Sequence, residues 1–157
     1  WSSDVCSSDL FLEPSAADIA RGRPDLAHAR IERDWSAWRG RAIEPLLRES
    51  VLRVCAEHPD FAEVGAVGGW WNRTGDVEVD LVGADRGPVA KRVSFVGSIK
   101  WRERGAFGRP DLDELLHLRA SVPGAEQAKV VAVSRAGVDV RGLDAVFTTK
   151  ELLAAWR

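Results

Sequence analysis

Methionine and tyrosine are absent from this chain of 157 residues, and cysteine occurs only at Cys6 and Cys55. So few cysteines exclude a Cys-rich zinc site and a disulfide framework, and they suit a reducing compartment. No apolar run approaches the roughly 18 residues that a membrane span needs, and no Gly-x-x-x-x-Gly-Lys-Ser/Thr phosphate loop occurs. These absences predict a soluble, cytoplasmic chain without membrane partners or an ATP-hydrolysing motor of its own.

The first ten residues, WSSDVCSSDL, match the in-frame translation of a common sequencing adapter along their whole length. We therefore expect residues 1–10 to be a non-native leader and the natural chain to begin upstream of Phe11. Setting them aside removes Asp4 and Asp9 from the 24 acidic residues and leaves 22, which equals the 22 Lys and Arg. With a net charge near zero, the remaining residues have no overall basic field that would indicate nucleic-acid binding. Their number is typical of a single domain.

Apolar spacing divides the rest of the chain into a linker and a core. Residues 11–40 are polar and helical, with breaks near Pro14 and Pro24, and we expect them to link the core to a missing upstream domain. From residue 41 to 58, apolar side chains recur every third or fourth position, which predicts the first helix of a domain spanning 41–157.

The later segments alternate between strand and helix patterns. They predict strands at 62–71, 76–84, 91–101 and 128–134, a helix at 111–121, a strand at 143–147 and a helix at 149–156. A turn is expected at Thr74-Gly75, between the first two strands. The order helix, three strands, helix, strand predicts an α/β three-layer sandwich with a central mixed sheet.

Polar residues alternate along two neighbouring predicted strands. Glu78 and Asp80 share one face of the first of them, and Ser98 and Lys100 share one face of the next. If these faces coincide, the four side chains form one cluster. Polar groups in the middle of a sheet are costly unless they are paired, so the pattern predicts a functional site.

Four segments occur in order along the chain and carry a family resemblance. They are Arg39-Gly40-Arg41-Ala42-Ile43-Glu44, Gly69-Trp70-Trp71-Asn72-Arg73, Glu78-Val79-Asp80-Leu81-Val82 and Gly97-Ser98-Ile99-Lys100-Trp101. Together they resemble the C-terminal domain of a family of prokaryotic ATPases, the DUF234 family, which is itself similar to PD-(D/E)xK nucleases. The resemblance implies a restriction-endonuclease-like fold and, as a partner, an upstream ATPase domain of the same full-length chain.

The resemblance also implies a Mg²⁺-assisted hydrolysis of phosphodiesters. Asp80 would be the central metal ligand, joined by the backbone carbonyl of Ile99 and by Glu44 from the first helix, with Glu49 as the second candidate on that helix. Lys100 would orient the attacking water or stabilise the developing charge. Lys100, Asp80 and Glu44 are therefore the implied catalytic residues.

Ser98 departs from the nuclease pattern, because the position two residues before Lys100 carries Glu in such enzymes. Mg²⁺ relies on one or two carboxylates in addition to water and substrate phosphates, so a neutral hydroxyl at this position weakens the site. Glu78 lies one pleat from Asp80 and could supply the missing carboxylate as a metal ligand. Alternatively, Glu78 pairs with Lys100 or Arg102.

Two functions of different classes stay open. The first is the C-terminal nuclease-like domain of an ATP-binding protein, with a degenerate or weakened metal-dependent DNA phosphodiesterase site. The second is a non-catalytic DNA-binding or protein-interaction module that retains the nuclease-like fold. Trp70 and Trp71 beside Arg73 offer stacking and charge to a nucleic acid, although such strand residues more often serve packing. The sequence predicts no oligomeric state.

Overall fold

The computed structural model describes residues 11–157, and the predicted leader at 1–10 lies outside the described residues. A 3₁₀ turn at Glu13–Ser15 precedes the first α-helix. The helices are α1 (Ala16–Ala20), α2 (Pro24–Glu57), α3 (Arg109–Arg119) and α4 (Thr149–Ala154), and the strands are β1 (Ala66–Trp71), β2 (Glu78–Ala84), β3 (Val93–Lys100), β4 (Lys129–Ser134) and β5 (Ala145–Phe147). Over this range, none of the helices combines the length and the apolar character that crossing a membrane requires.

The chain divides after Arg41 into two compact units. In the described part of the first unit, Phe11 is buried and its ring centroid lies 6.2 Å from that of Trp35 and 5.6 Å from that of Trp38. The two tryptophans also contact each other, with centroids 4.8 Å apart. These aromatic rings therefore pack within the unit.

Helix α2 is one continuous helix from Pro24 to Glu57. The prediction that a separate helix starts at residue 41 was therefore wrong. Pro24 opens the helix, as proline does at a first helical position. Gly40 costs about 1 kcal/mol relative to alanine, which is too little to end a helix flanked by good helix formers on both sides.

The sheet is mixed, as predicted, and its strands lie in the order β1-β2-β3-β4-β5. The β1–β2 and β2–β3 pairs are antiparallel, whereas the β3–β4 and β4–β5 pairs are parallel. Helix α3 makes the crossover between β3 and β4. The predicted turn between β1 and β2 is also present, where Gly75 adopts a φ of 76° and Asn72 Oδ1 accepts its N–H at 2.8 Å.

One helical layer covers each face of the sheet in the second unit. Leu47, Val51 and Cys55 of α2 pack against Leu81 and Phe95 of the strands. On the other face, an apolar cluster joins α3 to the sheet through Leu112, Leu115, Val96, Val130 and Ala132. The predicted α/β sandwich is confirmed.

Several predicted boundaries were wrong for local reasons. Strand β1 begins at Ala66 because Phe61 and Val64 reach the core from a turn, and their apolar character mimicked a strand. Helix α3 begins at Arg109, two residues earlier than predicted, because Pro110 fits within a first turn. Strands β3 and β5 and helix α4 are each shorter than the segments predicted for them.

The packing of α2 on the sheet makes a prediction about Cys55. The thiol is fully buried, and burial raises its pKa to about 11, so we expect almost no reactive thiolate in the folded state. A protein that starts at Phe11 has Cys55 as its only cysteine. Iodoacetamide at pH 8 should leave it unmodified by mass spectrometry in native buffer and alkylate it in urea. Rapid native alkylation would contradict the described packing.

Candidate functional site

A β-bulge in β2 shapes the site. Asp80 and Leu81 together lie opposite the single residue Gly69 of β1, and such an insertion interrupts the strict alternation of side chains. Val79 therefore packs in the cluster on the α3 side, whereas Leu81 packs in the cluster on the α2 side. Strict alternation around Glu78 and Asp80 predicts one shared face for Val79 and Leu81, and this prediction is wrong because the bulge places them on opposite faces.

The carboxylate of Asp80 binds the neighbouring strand directly. Its Oδ2 accepts the backbone N–H of Ile99 at 2.8 Å and the hydroxyl of Ser98 at 2.9 Å. The backbone pairing of β2 with β3 ends at Leu81 and Gly97, and N–H groups toward one neighbour recur every second residue. The side chain of Asp80 thus takes the N–H that the next rung of the ladder would have used.

Four of the predicted site residues line one pocket of about 80 Å³, namely Glu78, Asp80, Ser98 and Lys100. Helix α3 contributes Glu114 and two leucines to the same lining. Because one water molecule takes about 30 Å³, the pocket has room for two or three waters, or for a metal ion that keeps only part of its water shell.

Lys100 is held by acidic side chains of α3. Its Nζ lies 3.3 Å from Glu114 Oε2 and 3.8 Å from Asp111 Oδ1, and the guanidinium of Arg102 contacts Asp111 as well. The side chain of Glu78 makes no hydrogen bond or ion pair with any residue between 11 and 157. The alternative pairing of Glu78 with Lys100 or Arg102 is therefore not the arrangement in the structure.

Asp111, in the first turn of α3, binds two cations and a backbone N–H beside this pocket. Burial raises the pKa of its carboxyl, but the Gly108 N–H, Arg102 and Lys100 outweigh burial, and the pKa lies below its ordinary value. The Gly108 N–H donates to Asp111 Oδ2 at 2.9 Å. The ionised carboxylate therefore joins the start of the helix to two cations beside the pocket.

Glu44 reaches Asp80 through Arg48. The guanidinium of Arg48 donates through Nη2 to Glu44 Oε2 and through Nε to the backbone carbonyl of Asp80, both at 2.9 Å. A Cβ on Gly69 would lie only 2.9 Å from Nη2, so glycine at the bulge permits this approach. Because α2 and α3 cover opposite faces, Glu44 lies across the sheet from the pocket and does not line it.

The carboxylates around the pocket could hold Mg²⁺ only with the help of waters and a bound phosphate. Within residues 11–157, no three Asp, Glu, His or Cys side chains converge as a ready metal centre. Mg²⁺ needs only one or two carboxylates when waters and phosphates complete its shell. Both hydrogen bonds to Asp80 use Oδ2, so Oδ1 accepts none from the described residues, and Glu78 and Glu114 add two carboxylates to the pocket.

Glu114 is the site residue that sequence reasoning missed. It lies 14 residues after Lys100, and its side chain is 60% exposed. The signal was present in the helical spacing, because Glu114 and Leu115 follow Asp111 by three and four positions, and Leu118 follows them by four and three, so all share a face. That face contacts the pocket.

The fold and the pocket define a mixed-sheet α/β domain with a polar site where two of its strands diverge. A family model described as "Archaea bacterial proteins of unknown function" matches residues 10–110, most of the chain. The chain belongs to this family, DUF234, which confirms the predicted family. The match contains β1 to β3 and ends before Glu114. Neither a curated protein nor a solved structure matches the chain.

The hydroxyl of Ser98 should contribute measurably to stability. Ser98→Ala removes a buried hydrogen bond to a carboxylate, and we expect it to lower the free energy of unfolding by about 1–3 kcal/mol. Ser94 lies on the same strand, and its buried Oγ has no hydrogen-bond partner among the described residues. Ser94→Ala removes the cost of burying an unpaired hydroxyl, so it should not lower the free energy of unfolding and should raise it by up to about 1–3 kcal/mol. Urea denaturation of both variants checks this, and equal losses would contradict it.

The depressed pKa of Asp111 predicts an acid transition. Its stabilising contribution is complete above the unfolded pKa of about 3.9 and is lost as the pH falls through the lower folded pKa. Asp111→Asn keeps an acceptor for the Gly108 N–H but removes the charge, so its stability should depend less on pH below about 4. Urea midpoints measured from pH 6 to pH 2 test this. The exposed Asp113→Asn is the control, and a parallel pH dependence in Asp111→Asn and wild type would refute the assignment.

Proposed function

We propose that this chain is the C-terminal nuclease-like domain of an ATP-binding protein and that its pocket is a weakened Mg²⁺-dependent phosphodiesterase site acting on DNA. The observation that carries the proposal is the convergence of Asp80, Ser98 and Lys100 on one pocket with Glu78. This is the pattern expected of the nuclease motif with one carboxylate replaced.

Each residue of the pocket has a chemical part in this proposal. Asp80, with Glu78 or Glu114 and the Ile99 carbonyl, would hold Mg²⁺, which supplies charge to polarise a phosphate and to acidify bound water. Lys100 places an ammonium group where negative charge develops on the phosphate. Glu44 takes a positioning role, because Arg48 connects it to the backbone of Asp80.

Two features support a weakened rather than a full activity. Ser98 contributes no negative charge where the nuclease pattern has Glu, so the pocket attracts a divalent cation less strongly. In addition, Glu114 is engaged with Lys100 at 3.3 Å, and a metal ion at Glu114 must compete with this ion pair. Both effects lower the affinity for the metal.

The ATP-binding partner enters the proposal through the family resemblance alone. The chain has no phosphate loop, so nucleotide binding would belong to an upstream domain. Residues 11–40 would then connect that domain to the nuclease-like unit.

A non-catalytic module is the second candidate function. It is favoured by the contacts that satisfy the cluster without a metal, since Ser98 already bonds Asp80 and Lys100 already bonds Glu114. Such a cluster can stabilise the strand ends and leave DNA or protein binding to other surfaces. The two functions differ in whether a divalent cation binds.

Titration of Mg²⁺ and Mn²⁺ by calorimetry, followed by nicking of supercoiled plasmid, separates these functions. We expect weak binding of both ions and slow cleavage that requires one of them. Asp80→Asn should abolish both, because it removes the central charge while keeping the size of the side chain. Glu114→Gln should weaken metal binding, whereas Asp113→Asn on the same helix should not.

The absence of divalent binding and of cleavage in the wild type would reject the catalytic proposal and favour the non-catalytic module. Cleavage that persists in Asp80→Asn would show that the pocket is not the catalytic site.

A further inference from the structure

Strand β1 is an edge of the sheet. Within the described residues it pairs with β2 on one side, and its outer side has no strand partner. Its sequence, Ala-Val-Gly-Gly-Trp-Trp, carries no charge and no proline. Charged residues and proline usually protect edge strands from pairing with other chains. Because β1 has neither, its unpaired N–H and C=O groups are open to another chain.

An apolar groove runs beside this edge. Its volume is about 720 Å³, and its lining includes Trp70 and Val82 of the sheet and Val89 of the loop between β2 and β3. Val89 is 77% exposed and Trp71, at the end of β1, is 66% exposed. The groove offers a place for apolar side chains next to free backbone groups.

A cation lies near each end of β1. Arg86 lines the groove near the start of the strand and, within the described chain, is the only charged residue in the lining. It lies 3.9 Å from Asp85, whose carboxylate already accepts two backbone N–H groups. Arg73 follows the other end of the strand, and its side chain makes no hydrogen bond or ion pair with a residue in the range 11–157.

We propose that β1 binds an extended segment of a partner protein by strand addition, and that this segment carries an acidic residue near each end. The open backbone groups of β1 would supply the hydrogen bonds, the groove would take alternate apolar side chains, and Arg73 and Arg86 would select the acidic ends. This inference does not depend on the proposed metal site.

The charges disfavour a second copy of this chain as the occupant. If two β1 strands paired in antiparallel fashion about their central glycines, Arg73 of each copy would come beside the start of the other β1, where Arg86 lies. Like charges would then meet at both ends. Single-stranded nucleic acid is also disfavoured, because its sugar-phosphate backbone has no N–H groups at the spacing of a strand and so cannot extend the hydrogen-bond ladder of β1.

Fluorescence anisotropy with synthetic peptides tests the proposal. The probe is a labelled peptide of alternating valine and threonine with Glu at both ends. One control peptide has Lys at both ends, and a second is the Glu peptide with N-methyl groups on all its backbone amides, so that neither of its edges can donate strand hydrogen bonds. We expect the Glu peptide to bind, the Lys peptide to bind roughly tenfold more weakly, and the N-methylated peptide to lose binding, because it cannot form the strand hydrogen bonds.

Charge reversal of the protein provides the decisive comparison. The double variant Arg73→Glu/Arg86→Glu should exchange the two preferences, so that the Lys peptide binds more tightly than the Glu peptide. Arg141→Glu, an exposed arginine in the loop between β4 and β5 at the opposite side of the sheet, is the matched control and should keep the wild-type preference. Circular dichroism and the urea midpoint verify that each variant is folded.

Several outcomes would overturn the proposal. They are equal binding of the N-methylated peptide, an unchanged preference in the double variant, binding of a single-stranded oligonucleotide instead of the peptides, and a β1-dependent dimer in sedimentation that excludes the peptides. Absence of binding by every peptide at millimolar concentration would equally reject strand addition at β1.

Discussion

The hydrogen bonds from β3 to the carboxylate of Asp80 are the interaction on which the site depends. They close the gap where β2 and β3 diverge, because the side chain replaces a rung of the backbone ladder. The bulge at Asp80 turns this side chain toward β3, and Arg48 binds the backbone carbonyl of the same residue from the other face. One residue is thus restrained from both sides of the sheet.

Ser98 allows Asp80 to be held in place without a metal ion. A carboxylate at position 98 would repel Asp80 and would need a cation between them, whereas the hydroxyl donates to Asp80 without any ion. Serine in place of a carboxylate at position 98 therefore weakens a metal site, but it stabilises the strand ends when no metal is bound. Lys100 is arranged in a similar way, since Glu114 and Asp111 neutralise it without a substrate.

Much of this site could be predicted from sequence, because strand alternation depends on local geometry. Alternation placed Glu78 with Asp80 and Ser98 with Lys100, and these four residues line one pocket. The bulge could not be predicted, since it arises from the pairing of β2 with β1 and places Val79 and Leu81 on opposite faces. The mixed sheet followed from the order of the segments, which sets the possible connections.

The helical contributions were harder to predict, because they depend on which face of the sheet each helix covers. Glu44 was expected to complete the metal site, yet α2 lies across the sheet and brings it to Arg48. Glu114 was overlooked, although its helical spacing with Leu115 and Leu118 was visible. The continuity of α2 through Gly40 was also missed, since a single weak helix former does not end a long helix.

In the proposed function, the neutral side chain of Ser98 is the main reason that this pocket binds a divalent metal weakly. Calorimetric titration of Mg²⁺ and Mn²⁺ into Ser98→Glu tests it most directly, with Asp80→Asn/Ser98→Glu as the control. The account predicts tighter binding in the single variant than in wild type and loss of that gain in the double variant. A folded Ser98→Glu protein with no gain in divalent affinity would contradict the account.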